Sequence, residues 1–410
     1  MEINSKNNSY DLIVVGGGAA GFFGALLVAE KKPGLSILLL EKTSKLLSKV
    51  KVSGGGRCNV THHCFEPTPL SKHYPRGSKE LKSLFRKFQA KDTVAWFESK
   101  NIKLKTETDG RMFPVTDQSQ TIIDCFLNEA ERHQIKINTQ AEVKEIKAIE
   151  NGFALTVNGG QFFAKKILIA CGGYNNAQSY QWLAPMQPII NPIPSLFTFN
   201  DSEKKFKDLM GVSVAQAEVK IAGTKFSESG PLLITHWGLS GPAIIKLSAW
   251  AAHYLHDKKY EFTALINWTG TCNEEALRKD FDALKHSKQK ISTHPLYKIP
   301  SRLWLKLCCL AEISEAKTWA ELPQKNRNKL MEFLIRCPFH IKGKTTFKEE
   351  FVTCGGIDLN SIDLETMESK NVKGVYFAGE VLNMDGETGG FNFQSAWTTA
   401  AVAAVAIRVD

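Results

Sequence analysis

The sequence predicts an α/β protein built on a parallel sheet, and three features of the 410-residue chain support that fold class. An apolar, strand-like run, Leu12–Val15, is followed by closely spaced glycines and then by a helix-like apolar run, Phe22–Ala29. Near the other end of the chain, a second glycine-rich segment lies between the strand-like run Val375–Ala378 and the helix-like run Phe393–Ile407. Between these segments, prolines mark a boundary near Pro188, and the strand-like and then basic, helix-like stretches that follow as far as about Ile341 are expected to form an insertion between two parts of one domain.

The first glycine turn has the spacing of a dinucleotide-binding site of the Rossmann type. Its glycines let backbone N–H groups approach a pyrophosphate, and the helix that follows directs its positive end at the same phosphates. The next strand, Ile37–Leu40, ends at Glu41, about 20 residues past the last glycine, where a carboxylate can accept hydrogen bonds from ribose hydroxyls. The residues predicted to contact the dinucleotide here are Gly16, Gly18, Ala19, Ala20, Gly21, Glu41 and Lys42.

The second glycine-rich segment predicts that the dinucleotide is FAD, and non-covalent binding is expected because no His, Cys or Tyr lies in a recognisable attachment pattern. A nicotinamide domain uses one such crevice, whereas FAD is long enough to need a second anchoring point, and a helix N-terminus there can face the ring of a reduced, anionic flavin. Glu380 is expected to accept hydrogen bonds from hydroxyls of the ribityl or pyrophosphate-proximal portion, and an ordinary strand-end carboxylate is the alternative. The residues predicted to contact FAD in this segment are Gly379, Glu380, Gly389, Gly390, Phe391 and Asn392.

A third glycine-rich stretch, Val52–Asn59, is predicted to be a loop whose backbone amides contact the cofactor. Arg57 can carry positive charge to phosphate or to the flavin. Cys58 suggests a redox role with Cys64, but the six-residue separation is no recognised redox spacing, and a packing role is favoured. The predicted cofactor contacts of this stretch are Gly55, Gly56, Arg57, Cys58 and Asn59.

The chain between these motifs is predicted to be helical first and then to form strands. The expected helices are Leu81–Phe88, Thr93–Lys100 and Thr121–His133, with a plain loop at Asp109–Pro114. The expected three-stranded meander is Ala141–Ile146, Phe153–Val157 and Phe162–Ala170, with an Asn151-Gly152 hairpin turn. We expect the backbone near Val143 to lie beside the adenine, and Ala170 and Gly172 to contact the cofactor.

The motifs together resemble those of the BaiN/YhiN-type flavoproteins, the aminoacetone-oxidase family of NAD(P)/FAD-dependent oxidoreductases. The matching segments are Val14–Gly21, Ser53–Asn59, Thr235–Pro242, Thr353–Ile357 and Ala378–Gln394. The resemblance implies a glutathione-reductase-like FAD-binding domain with an inserted small β-barrel domain and a helical domain inserted into the barrel. Members have been assigned to amine oxidation and to the reduction of conjugated ketones.

Four segments follow from the resemblance and from the prolines at 188, 192 and 194. They are residues 1–190, the first part of the FAD-binding domain; 191–272, a β-barrel-like domain; 273–341, an inserted helical domain; and 342–410, the return strands and second part of the FAD-binding domain.

The composition is that of a large globular enzyme, with 43% hydrophobic and 23% charged residues. The nine cysteines form no C-x-x-C pair, so neither a metal site nor a disulfide framework is indicated, and reduced thiols in a cytoplasm are the expectation. The polar start of the chain predicts no secretory signal. The apolar window Leu12–Ala29 has glycines at its centre, so no membrane span is expected.

The leading functional hypothesis is an FAD-dependent oxidoreductase that acts on a small organic substrate. The flavin would carry hydride or electrons, with NAD(P)H as a transient reductant, because no second nicotinamide-type motif is found in the sequence. A tRNA-modifying flavoprotein is one alternative, which would use the net charge of +10, but no RNA-reading motif is seen and no nucleic-acid partner is expected. A non-catalytic flavin-binding redox sensor is another. His236 is a candidate acid or base, with a purely structural role as the alternative.

Overall fold

The computed structural model describes residues 8–158, 160–345 and 352–409, and two compact units divide them. The first unit comprises residues 8–194 and 352–409, and the second comprises residues 195–345. The strands, in chain order, are β1 (Ser9–Val15), β2 (Ile37–Leu40), β3 (Thr61–His62), β4 (Leu104–Thr106), β5 (Arg111–Pro114), β6 (Lys136–Asn138), β7 (Val143–Ile149), β8 (Gly152–Val157), β9 (Gly160–Ile169), β10 (Ile189–Ser195), β11 (Thr198–Asp201), β12 (Ser213–Ile221), β13 (Ser227–Ile234), β14 (Gly238–Ser240), β15 (Glu261–Asn267), β16 (Cys337–Thr345), β17 (Val352–Ile357), β18 (Ile362–Asp363), β19 (Glu368–Ser369) and β20 (Val375–Phe377).

The helices are α1 (Ala19–Lys31), α2 (Ser48–Gly56), α3 (Pro67–Ser71), α4 (Ser78–Leu84), α5 (Ala90–Ser99), α6 (Ser119–Arg132), α7 (Pro242–Trp250), α8 (Ala252–Asp257), α9 (Glu274–Ala283), α10 (Ser301–Leu310), α11 (Gln324–Ile335) and α12 (Phe391–Ala406). None of these helices, within the described residues, is both long and apolar enough to cross a membrane.

A parallel sheet forms the centre of the first unit. Strand β1 pairs in parallel with β2 and β9, β2 pairs with β6, and β9 pairs with β20. The carboxyl ends of these strands therefore meet at one edge, which is where α/β sheets bind ligands. Strands β7, β8 and β9 form the predicted antiparallel meander.

Helices α1 and α12 pack against each other in the core of the first unit, although they come from opposite ends of the chain. Both are apolar on nearly every side, and the rings of Phe23 and Trp397 lie 5.2 Å apart. A Cβ at Gly24 would lie 2.6 Å from Leu168 Cδ2 and 3.6 Å from Ala400 Cβ, so α1 is held close to both its neighbours. This packing joins the two glycine-rich segments into one domain.

Several of the elements predicted from the sequence differ in their bounds. Helix α1 begins at Ala19, before the expected Phe22, because the glycine turn leads directly into it. The predicted loop at Val52–Asn59 overlaps the end of α2, but Ser53, Gly54 and Gly55 have non-helical dihedrals and Gly56 has a φ of +85°, so the backbone there is irregular as expected.

The expected loop at Asp109–Pro114 is wrong for its second half. Residues Arg111–Pro114 form β5, which pairs antiparallel with β3 and β4. The sequence signal failed because β5 is only four residues long and one of its partners, β3, lies about 50 residues earlier in the chain.

A closed barrel forms the second unit. Within the described residues it has six strands, in the order β11-β14-β13-β12-β15-β16, and helices α9 to α11 lie in the connection between β15 and β16. The predicted fold class, a Rossmann-type domain with an inserted β-barrel and helices, is confirmed. The barrel and the inserted helices belong to one compact unit, and the finer four-segment division remains a prediction.

Candidate functional site

Two glycines of the turn between β1 and α1 are required by the fold of the protein. Gly16 has a φ of +117°, and a Cβ there would overlap the carbonyl oxygen of Ala170 at the end of β9. A Cβ at Gly21 would overlap the Gly16 carbonyl oxygen in the same way. The backbone conformation and the packing of the turn therefore explain both glycines.

Neither the backbone conformation nor the packing requires glycine at position 18. Its φ is −95°, which any residue can adopt, and a Cβ built there would have no protein atom within 4 Å. Gly18 is also the N-cap of α1, where the first amide N–H groups of the helix point outward. A ligand that presses against this backbone, as the pyrophosphate of FAD would, is compatible with the open space at Gly18.

Three further predicted glycines are also free of packing constraints. A Cβ at Gly55, Gly56 or Gly172 would meet no protein atom within 4 Å, although each has a positive φ. Open backbone at these predicted positions fits an extended ligand such as FAD.

Glu41 is held rigidly at the end of β2. Its Oε2 accepts a hydrogen bond from the Gly17 N–H (2.9 Å), and its Oε1 accepts from the Thr43 N–H and hydroxyl (2.8 Å each). Lys42 lies 4.8 Å from the centre of the Tyr174 ring. The carboxylate is thus fixed next to the glycine turn before any ligand binds.

A cavity of about 600 Å³ opens beside Glu41, a volume within the range of small-molecule sites. Gly16, Lys42 and Val143 line it, so the structure brings these predicted residues together. The lining residues missed from the sequence include a group of five that lie close together in the chain: Tyr174, Gln178, Ser179, Gln181 and Trp182. They precede or occupy a short 3₁₀ segment and the turn after it, and nothing in their spacing could have indicated a ligand.

The end of β20 reaches the first turn of α1. Gly379 has a φ of +77°, and a Cβ there would lie 2.7 Å from the Cβ of Ala20. Glu380 follows, with one carboxylate oxygen paired with Lys49 Nζ at 2.5 Å and the other, Oε1, buried without a hydrogen-bond partner. An unpartnered buried oxygen requires an explanation, and a hydroxyl of a bound cofactor would supply the missing donor.

Arg57 and Cys58 have structural partners of their own. The Arg57 guanidinium pairs with Glu107 (2.6 Å) and lies 4.0 Å from the centre of the Phe113 ring, so its predicted contact with the cofactor stays a prediction. Cys58 is fully buried with a φ of +63°, and burial raises the pKa of its thiol to about 12. A thiol in this state is a poor nucleophile, which favours the packing role.

The turn before α12 contacts the third glycine-rich stretch. With its amide oriented to suit its neighbours, Asn59 accepts from the Gly390 N–H (2.9 Å) and donates to the Thr61 carbonyl (3.1 Å). Gly390 has a φ of +91°, and α12 begins at the next residue, Phe391. The Asn392 side chain stabilises the turn through two hydrogen bonds to the backbone of Gly386. Its Oδ1 accepts from the N–H (2.8 Å), and its Nδ2 donates to the carbonyl (2.9 Å).

The remaining candidates are His236 and a cluster of possible metal ligands. His236 is exposed in the turn between β13 and β14 of the second unit, with its ring 4.2 Å from that of Trp237, and its catalytic role stays a prediction. In the described residues, one cluster has the spacing of metal ligands: Glu30, Glu129 and His133. Lys100 pairs with both of its carboxylates (2.7 and 3.0 Å), so an ammonium already balances their charge.

Comparison with known proteins identifies the family. The sequence profile of the HI0933-like protein Rossmann domain matches residues 10–406. The chain belongs to the HI0933-like family. The resemblance inferred from the motifs is therefore confirmed, and this HI0933-like protein is a flavin-dependent oxidoreductase for which the family and the fold support FAD as cofactor.

Relatives of this HI0933-like protein match it over nearly its whole length. A ribosomal RNA dihydrouridine synthase of Escherichia coli (strain K12) is 30% identical, covering 95% of this chain and 96% of the relative. A 3-dehydro-bile acid Δ(4,6)-reductase of Clostridium scindens is 24% identical, covering 95% and 97%. Among solved structures, a 3-ketosteroid-Δ4-(5α)-dehydrogenase of Rhodococcus jostii RHA1 has a TM-score of 0.53 at 10% identity, covering 99% of this chain and 98% of that one, which shows the common fold.

Proposed function

We propose that this protein uses FAD to reduce a carbon–carbon double bond that is conjugated with a carbonyl group. One observation carries the proposal: two full-length relatives are named for reactions of this type on unrelated substrates. Dihydrouridine is uridine whose ring double bond, conjugated with a carbonyl, has been saturated, and a Δ(4,6)-reductase of a 3-dehydro acid saturates double bonds conjugated with a ketone. A shared reaction on different substrates is expected when the cofactor carries the chemistry and the protein shapes the site.

We further propose that the predicted residues hold FAD along the carboxyl edge of the sheet. The open backbone at Gly18 and the unpartnered oxygen of Glu380 support this arrangement. The proposed FAD contacts are Gly16, Gly18, Ala19, Ala20 and Gly21 at the pyrophosphate; Glu41, Lys42, Val143, Ala170 and Gly172 around the adenosine; Glu380 and Gly379 at the middle of the cofactor; and Gly55, Gly56, Arg57, Cys58, Asn59, Gly389, Gly390, Phe391 and Asn392 around the ring.

The residues of the chain bind FAD, orient its ring and stabilise the negative charge of the reduced ring. FAD, when bound and reduced, supplies the hydride that the double bond takes up. The N-terminus of the 16-residue helix α12 directs its partial positive charge toward the Gly389–Gly390 turn, where a negatively charged ring would be stabilised. The Asn59 and Asn392 hydrogen bonds keep that turn in one conformation.

NAD(P)H is proposed as a transient reductant without a domain of its own. Within the described residues, the parallel sheet of the first unit contains one strand, glycine turn and helix with the pattern of a dinucleotide-binding site. This segment is formed by β1, the turn after it and α1. We expect equilibrium dialysis of the oxidised holoenzyme to show no saturable, sub-micromolar NADH site. Tight NADH binding that persists while the flavin site is blocked would contradict this.

A second candidate substrate is a uracil ring in ribosomal RNA. The 30% identity to the ribosomal RNA enzyme favours it, and a net charge of +10 with a pI near 9.0 suits a polyanion. It runs against the expectation of a small substrate and no nucleic-acid partner, and the following experiment tests both.

The test is anaerobic reoxidation of the reduced holoenzyme. The flavin is reduced with NADPH or by light and mixed with a 3-oxo-4-ene steroid, with unmodified ribosomal RNA, or with the matching saturated ketone as control. We expect return of the flavin absorption band with a conjugated substrate and not with the saturated ketone. The substrate that reacts decides between the small molecule and the RNA, whereas reoxidation by neither, with reduction of the oxidised enzyme by amines instead, contradicts the proposal.

A further inference from the structure

A histidine–glutamate pair lies beside the Gly389–Gly390 turn, outside the residues predicted from the sequence. His73 Nδ1 is 3.2 Å from Glu387 Oε2, and the Glu387 N–H donates to the His73 carbonyl at 2.9 Å. The Glu387 side chain is 8% exposed, whereas that of His73 is 34% exposed. The carboxylate therefore lies on the buried side of the imidazole, and part of the imidazole is exposed to solvent.

The orientation of the His73 ring is fixed by an aromatic contact. The ring stacks on Phe391, with centroids 4.2 Å apart and planes inclined by 11°. Phe391 is the first residue of α12, so the imidazole lies next to the residues proposed to hold the ring of FAD. With Nδ1 directed at the carboxylate, Nε2 is the outward nitrogen, and no hydrogen bond within the described residues uses it.

The second imidazole near this turn is unsuited to proton donation. His62 stacks on Phe391 at 4.7 Å, and its centroid is 5.9 Å from that of His73. Burial lowers the pKa of His62, and its Nε2 donates to the Asp109 carbonyl (3.0 Å). His62 is thus held neutral, with its proton engaged in the interior.

The other titratable side chains of the turn are also excluded. The Tyr74 hydroxyl donates to the Phe391 carbonyl (2.6 Å), and burial raises the pKa of Tyr74 well above its usual value. Burial also raises the pKa of the Cys64 thiol. Arg76 and Asp385 form a buried ion pair, which is fixed in its charged form. His73 is left as the group with an exchangeable proton, an outward nitrogen and a carboxylate to offset its charge.

We propose that His73 donates the proton that completes reduction of the double bond and that Glu387 is its positioning residue. The assignment rests on the proposed function. One carbon of the double bond takes the hydride and the other takes the Nε2 proton of the His73 imidazolium, so a new C–H bond forms at each carbon as the π bond is lost. The imidazole is left neutral and takes its next proton from solvent, while the flavin ends oxidised.

The test separates proton donation from cofactor binding. We compare wild type, His73→Asn, Glu387→Gln and, as a matched control, His63→Ala, an exposed neighbouring histidine that is not part of the pair. FAD dissociation constants and the rate of flavin reduction by NADPH should stay within about twofold of wild type in all three variants. Reoxidation by the conjugated substrate should fall by about 10²–10⁴-fold in His73→Asn, the usual contribution of a general acid, and be unchanged in His63→Ala. Added imidazole should restore part of the lost rate.

A spectroscopic readout tests the pair without turnover. The Nδ1–H proton of His73 should give a slowly exchanging, downfield NMR resonance in the resting protein, which Glu387→Gln removes. Combining Glu387→Gln with His73→Asn should cost no more reoxidation rate than His73→Asn alone, because Glu387 acts through His73.

The outcomes distinguish the role of His73 from the proposed reduction of a conjugated double bond. A wild type that reacts, together with a His73→Asn variant that reacts equally fast, overturns the role of His73 and leaves the proposed function standing. A wild type that reduces no conjugated substrate contradicts the proposed function and with it the proton donation, while the NMR resonance still reports whether the pair exists. Loss of FAD from His73→Asn alone would make His73 a cofactor-binding residue instead.

Discussion

The glycines at positions 16 and 18 belong to one turn but are glycine for different physical reasons. Gly16 needs a positive φ and close contact with Ala170, both of which are properties of the folded protein alone. Gly18 needs neither, and contact with the pyrophosphate of FAD is the reason proposed for its missing side chain. The two positions therefore separate stability from cofactor binding.

Gly18→Ser is expected to lower FAD affinity without lowering stability. Serine is a favoured N-cap residue, so the free energy of unfolding of the apoprotein should be unchanged or slightly higher. The new side chain would take the place of the pyrophosphate and occupy the amide N–H groups, raising the FAD dissociation constant at least about tenfold, or ~1.4 kcal/mol. Fluorescence titration and urea unfolding measure the two effects, with Gly160→Ser, also free of protein contacts, as control. Equal affinity for wild type and Gly18→Ser would show that no ligand approaches this backbone.

Glu380 is expected to contribute directly to FAD affinity. Glu380→Ala should cost on the order of 1–3 kcal/mol of binding, the usual penalty when a buried hydrogen-bonding group loses its partner. Glu380→Gln, which keeps an acceptor oxygen, should lose less. Lys49→Met removes the ion-pair partner at 2.5 Å and controls for its loss. If Lys49→Met and Glu380→Ala weaken FAD equally, the pair acts as a unit and Glu380 alone makes no cofactor contact.

At the scale of elements, one buried amide ties α12 to the rest of the first unit. Gln394 is fully buried, and its Oε1 accepts from the hydroxyls of Thr61 (2.6 Å) and Thr93 (3.0 Å). Its Nε2 donates to the hydroxyl of Thr398 (3.0 Å). The network joins α12 to β3 and α5, so it sets the position of the helix that begins at Phe391.

Gln394→Ala is expected to destabilise the first unit strongly. The Thr61 hydroxyl loses its acceptor in the interior, the Thr93 hydroxyl keeps only a longer hydrogen bond to the Gln89 carbonyl (3.4 Å), and a cavity forms. An unpaired buried group costs about 1–3 kcal/mol, and the cavity adds to that cost. Urea unfolding followed by tryptophan fluorescence measures the loss, and Gln120→Ala on the exposed face of α6 is the control. A change no larger than that of the control would mean that α12 is positioned by apolar packing alone.

The elements that could be predicted from sequence are those with strong local signals. The apolar runs and glycines around β1, α1, β2, β20 and α12 are strong local signals, so the ends of these elements were predicted to within three residues. The small sheet β3-β5-β4 could not be predicted, because its two- to four-residue strands carry little pattern and β3 pairs with a strand about 50 residues later in the chain. The His73–Glu387 pair could not be predicted for the same reason, since its members are 314 residues apart.

At the scale of the whole molecule, FAD is expected to stabilise one unit selectively. All the proposed FAD contacts lie in the first unit, residues 8–194 and 352–409. At a free concentration 100 times its dissociation constant, FAD should add about 2.7 kcal/mol to that unit's stability. Hydrogen exchange with and without FAD should show slower exchange in β1, α1 and α12 and little change in the barrel strands β11 to β16. Equal protection of both units would place part of the cofactor site on the barrel.

The packing of α12 on α1 also has a consequence for biosynthesis. When a ribosome has made the first 194 residues, the nascent chain still lacks β20 and α12, which complete the sheet and cover α1. At about 5–20 residues per second, synthesis from residue 194 to the end of α12 takes on the order of 10–40 s. During that time the apolar faces of α1 and β9 have no native cover, whereas the barrel unit, continuous in sequence, can fold as soon as it leaves the exit tunnel. Translation order therefore predicts that the first unit completes its fold after the barrel unit has been synthesised.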